Sequence, residues 1–115
     1  MTADERQATV TRACDLFNSG DYWAAHEALE TVWRSIIREA AAPVFQGLIL
    51  ACAALLHRQR NNRHGIVTVG AKALEQLAGP QRPDVEIETV QFRAQLARAL
   101  AGEADPPRME YRADA

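Results

Sequence analysis

The chain has 115 residues, thirteen of them Lys or Arg and fifteen Asp or Glu, for a formal charge of −2. An apolar share of 48% suits one globular core and is too high for a disordered chain. The basic excess that supplies most of a nucleic-acid binder's affinity is missing, which argues against that class of partner.

Met1-Thr2-Ala3-Asp4-Glu5 is acidic and polar, unlike a secretory leader. The longest apolar stretch, Val44 to Leu56, has thirteen residues, against about twenty for a membrane span. Cys14 and Cys52 lie far apart on apolar helical stripes and read as reduced core thiols. A cytoplasmic location without a membrane partner is the expectation.

Thr2 and Glu5 have the spacing of a capping box, which predicts a first helix from Ala3 to about Phe17. Val10, Ala13, Cys14, Leu16 and Phe17 give it an inner face, and Asn18-Ser19-Gly20 ends it. Asp21 caps a second helix, about Tyr22 to Glu39. Pro43 disfavours helix at Ala42 and suits a first turn, so a connection falls near Ala41 and a third helix runs to about Arg60. That helix is apolar nearly all round and therefore central. Asn61-Asn62 stops it, and Asn62 caps a fourth helix, about Arg63 to Ala78. Gly79 to Pro83 is a loop by composition, and a fifth helix spans roughly Ile87 to Ala101. Residues 102–115, with Pro106-Pro107, form a tail beyond a single helical domain of residues 1–101. The expected fold is all-α, an antiparallel bundle of about five helices.

Chemistry concentrates on the second helix. At about 100° per residue, Tyr22, Leu29, Glu30, Trp33 and Ile37 fall within about 60° of His26, placing His26 inside an apolar stripe and Glu30 on its border. Buried polar groups need partners, because leaving one bare costs roughly 1–3 kcal/mol or more. With a turn centred near Ala41–Ala42, His26 faces His57, Glu30 faces Ala53, and Ile37 faces Gln46. Two imidazoles and a carboxylate then converge, with the small Ala53 leaving space opposite Glu30. Gln46 is about 16 Å along the axis from His57 and stays outside any shared shell.

The run Phe17 to Arg34, containing His26-Glu27-Ala28-Leu29-Glu30 and Trp33, resembles the signature of the domain of unknown function 309 family, a bacterial and archaeal helical family marked by HxxxExx(W/Y). Phe45-Gln46-Gly47-Leu48-Ile49, Ala54-Leu55-Leu56-His57, Asn62 and Gly65 continue the likeness, which covers about Leu16 to Leu77. Asn61 stands where that family often has Gly, and Leu50 where Gln is frequent; Asn tolerates the left-handed turn, and Leu50 makes the polar lane drier. The resemblance implies an all-helical fold and a metal-binding role for His26 and Glu30, and brings no established reaction.

Two readings follow. In the first, His26 and Glu30 are ligands of a divalent metal or contacts of a small ligand, with His57 a third ligand or proton carrier. Tyr22, Trp33, Ala53, Gln46 and Asn62 then line the site. Zinc, iron, manganese or nickel suits imidazole plus carboxylate. In the second, the buried His-Glu-Trp network only stabilises the fold of a structural or protein-interaction module, Glu30 pairing outward with Arg34 in the favourable i,i+4 order, and any partner is a protein or a second copy of the chain. His26 to Glu30 reads HExxE rather than the HExxH of zinc proteases, and Glu27 points to solvent, which excludes that class. Only Ser19 and Ser35 offer serine hydroxyls, and no Gly-rich phosphate loop occurs. The basic run His57 to His64 reads as a solvated loop, with anion binding at the next helix N-terminus as its alternative.

Overall fold

The computed structural model describes residues 1–112. Helix α1 (Ala3–Asn18) starts with the expected reciprocal cap: Glu5 N–H donates to the Thr2 hydroxyl at 3.1 Å and Thr2 N–H to the Glu5 carboxylate at 3.0 Å. Gly20 takes a positive φ of 87°, and Asp21 caps helix α2 (Tyr22–Ser35) through Ala24 N–H. Helix α3 (Ala42–Gln59) is followed by Asn61 at φ 55° and by Asn62, which caps helix α4 (Arg63–Gln76) through Gly65 N–H at 3.1 Å. A 3-10 turn (Pro83–Val85) precedes helix α5 (Val90–Leu100). Among the described residues the protein is thus an all-α bundle of five helices, with no strand beyond a bridge between Ile87 and Tyr111.

Helix α3 is the central rod, as its sequence requires: Val44, Phe45, Leu48, Ala51, Cys52, Ala54 and Leu55 are all buried. It packs against both α2 and α4. Gly47 permits the close approach to α4, since a methyl group there would lie 2.9 Å from the Leu77 backbone nitrogen. Phe17 joins α1 to the other elements, edge-on to Tyr22 at 5.0 Å and tilted against Phe92 at 5.5 Å. An ionic clamp closes the opposite side. Arg6 of α1 and Arg82 both hold Asp84, and Arg82 also reaches Glu39.

Two helix boundaries depart most from expectation. Helix α2 stops at Ser35, four residues short of Glu39, because Ile36 leaves helical geometry and turns into the core. Helix α5 starts at Val90; Ile87 and Glu88 are used instead to seat residues after the last helix, with Glu88 N–H donating to Glu110 and Arg112 N–H to Glu86. Met109 is buried, and its backbone is held on both sides by the Asn18 amide, at 2.7 and 2.9 Å.

Candidate functional site

Helix α2 projects His26, Glu30 and Arg34 at four-residue spacing, so the three stack along one side of the rod. His26 Nε2 lies 3.1 Å from Glu30 Oε2, and the other Glu30 oxygen takes a hydrogen bond from Arg34. The indole of Trp23 lies over the His26 ring, with centroids 5.2 Å apart. Together with Glu27 and Thr31 these residues line an open groove of about 220 Å³. Glu27 and Glu30 carry two negative charges against one on Arg34, leaving the groove net negative when His26 is neutral.

His26 is at the border of the core, not inside it. Its side chain keeps 24% of its exposure, and Trp23 keeps 60%. The residues α2 buries are Tyr22, Ala25, Ala28, Leu29 and Val32. Their mean direction is about 100° around the helix from His26. The small residues Ala25 and Ala28 let α2 sit close to its neighbours, and the larger Trp33 and Ile37 are pushed outward to half-buried and exposed positions.

The expected convergence with His57 does not occur. Among the described residues, no three His, Cys, Asp or Glu side chains come together as a group able to hold a metal. The reason is register. Because α2 ends early, Glu30 and Trp33 share a second groove, also about 220 Å³, with Gln46, Ile49 and Leu50. Glu30 therefore lies beside Ile49 and Leu50, about one helical turn from the expected Ala53, which is half-buried on α3. By the same displacement the end of α3 lies beside Tyr22, whose hydroxyl feels the charge of Arg58. Burial is the larger influence on that phenol and raises its pKa above the ordinary value.

His57 instead supports the α3–α4 turn. Asn62 accepts Gly65 N–H with Oδ1, so its amide nitrogen donates to His57 Nδ1 at 3.2 Å. The imidazole packs directly on Gly65, where a methyl group would lie 2.5 Å from Cγ. Of the lining residues expected from sequence, Trp33 and Gln46 meet at Glu30, Tyr22 belongs to the core, and Asn62 belongs with His57. The outward pairing of Glu30 with Arg34 that the i,i+4 spacing offers is present, whereas sequence reasoning missed Trp23 as part of the groove. Its three-residue spacing from His26 on one helix is the available signal.

Fold and groove together define a small all-helical protein with a charged, tryptophan-edged cleft on one exposed helix. The chain belongs to the family described as Domain of unknown function (DUF309), whose profile matches residues 10–69. It is similar to an uncharacterized protein of Aquifex aeolicus (strain VF5), 31% identical over 97 residues. That alignment covers 83% of this chain and 29% of the relative, so the chain spans less than a third of the relative's length. No solved structure gives a significant match.

Proposed function

We propose that the α2 groove binds a small cationic ligand, either an organic ammonium group or a hydrated divalent metal ion. The observation that carries this reading is the wall itself: Glu27 and Glu30 beside an exposed indole and an imidazole. Carboxylates attract a cation, and an indole face adds cation–π attraction. The donor set fits an ion that keeps most of its water. His26 and Glu30 are the two protein groups that would hold it, and inner-sphere capture by His26 Nε2 would require the ring hydrogen on Nδ1. That atom is buried without a hydrogen-bond partner, so the outer support that usually orients a metal-bound imidazole is lacking.

Titration with MnCl2, ZnCl2 and tetramethylammonium, followed through Trp23 fluorescence and the His26 ring signals, tests the proposal. Saturable changes lost in Glu30→Gln are expected. Changes of equal size in wild type and variant, or none, would overturn it.

A second reading, an interaction module, is favoured by the apolar surface around the groove. Trp23 on the groove and Ile37 beyond α2 are 60% and 52% exposed, and half-buried Trp33, Ile49 and Leu50 wall the second groove, which shares Glu30. Sedimentation over a range of concentrations tests self-association, which Trp23→Ser should weaken; a monomer at all concentrations would exclude it. We propose a cytoplasmic location, where the free Cys14 and Cys52 would stay reduced. No helix among the described residues is long and apolar enough to cross a membrane.

A further inference from the structure

A separate cleft of about 380 Å³ opens between the α3–α4 turn and the end of α5. Arg58, Asn61 and Arg63 form its polar side, while Ile66, Val67 and Leu100 supply apolar wall. Among the described residues, no carboxylate lines it. The contrast with other arginines is informative: Arg6 and Arg82 pair with Asp84, and Arg34 pairs with Glu30. Arg58 instead leaves its Nη1 buried without a hydrogen-bond partner. An unpaired buried cationic donor is among the costlier arrangements in a protein, and an anion is its natural complement.

The backbone adds to the same potential. Helix α4 begins at the cleft with Arg63, so the positive end of its dipole lies there. The end of α5 borders the cleft with its negative pole. Its carbonyls at Ala97, Arg98 and Ala99, however, already accept from Ala101, Glu103 and Gly102. Two full positive charges therefore outweigh a partial negative one of about half a charge.

We propose that this cleft binds a small oxyanion carried on an apolar body, the guanidinium groups of Arg58 and Arg63 taking the anion and Ile66, Val67 and Leu100 the body. A planar guanidinium presents paired donors that match either phosphate or carboxylate. The site is independent of the α2 groove and of any ligand there.

Amide and arginine side-chain NMR signals, followed during titration with inorganic phosphate, phenyl phosphate and benzoate, test this. Saturable shifts at Arg58, Arg63 and His64 are expected. Phenyl phosphate should bind at least about tenfold more tightly than inorganic phosphate, since the apolar wall contributes only to the former. The order of phenyl phosphate and benzoate tells which oxyanion the site prefers. Arg63→Gln should weaken binding several-fold. Val67→Glu alters an exposed residue and places a carboxylate at the rim; it should abolish binding while leaving the helical spectrum and melting temperature unchanged. No saturable shift up to about 20 mM of any probe, or equal shifts in Val67→Glu and wild type, would overturn the proposal.

Discussion

Gly65→Ala probes where His57 belongs. A methyl group at that position would lie 2.5 Å from both Cγ and Nδ1 of the His57 ring and 2.7 Å from Cδ2, about 1 Å inside ordinary contact. Either α3 and α4 separate or the ring turns, and turning breaks its bond with Asn62, the residue that caps α4. Overpacking costs about 1–3 kcal/mol and the lost hydrogen bond about 1 kcal/mol. Replacing a helical glycine returns at most about 1 kcal/mol. The net expectation is a loss of about 2 kcal/mol, seen as a lower urea midpoint at unchanged slope and a fall of roughly 8 °C in Tm. Combining Gly65→Ala with His57→Ala should cost less than the sum of the two, by about 1–2 kcal/mol, because the second change removes the obstacle. A Gly65→Ala protein as stable as wild type, or strict additivity of the pair, would refute this placement of the ring.

Gly47→Ala and Gly70→Ala should diverge although the chemistry is identical. The first meets the Leu77 backbone nitrogen at 2.9 Å, the second only the end of the flexible Leu100 side chain at 2.7 Å. Thermal melts should show Gly47→Ala destabilised by about 1–2 kcal/mol and Gly70→Ala within about 0.5 kcal/mol of wild type. Burial pushes the Asp84 carboxyl up, but hydrogen bonds and charge from Arg82 and Arg6 outweigh it and hold its pKa below the ordinary carboxylate value. Its stabilisation is therefore complete above the unfolded-state value and lost as pH falls through the lowered folded value. Asp84→Asn should cost about 1–2 kcal/mol near pH 7 in urea titrations and flatten the decline below about pH 4. Burial raises the thiols of Cys14 and Cys52 to about 12, with Asp15 adding to the effect at Cys14. Native protein at pH 8 should thus resist iodoacetamide at both positions while urea-unfolded protein is modified at both, as mass spectrometry will show.

The parts of the fold legible in the sequence are those decided within a few residues. Thr2 with Glu5, Asp21 and Asn62 each satisfy free N–H groups of the turn that follows, and Gly20 and Asn61 adopt the positive φ their turns demand. The end of α2 was different. Residues 36–41 hold neither Gly nor Pro, and what stops the helix is Ile36 turning into a core built by other elements. Local propensity carries no record of such a tertiary cause.

That one boundary decided the site. Extending α2 to Glu39 shifts the hairpin's centre and slides α3 by about one turn against α2, enough to set His57 opposite His26. The helical wheel erred in a related way, because it weighted the large residues Trp33 and Ile37 as core and the alanines as filler. Close packing reverses that weighting: α2 approaches its neighbours through Ala25 and Ala28, and bulk that cannot fit there is left at the rim. The same displacement gives the groove its character. An imidazole and a carboxylate sealed between two helices would have had to satisfy each other completely, whereas at the rim they stand beside an exposed indole with one side open to a ligand.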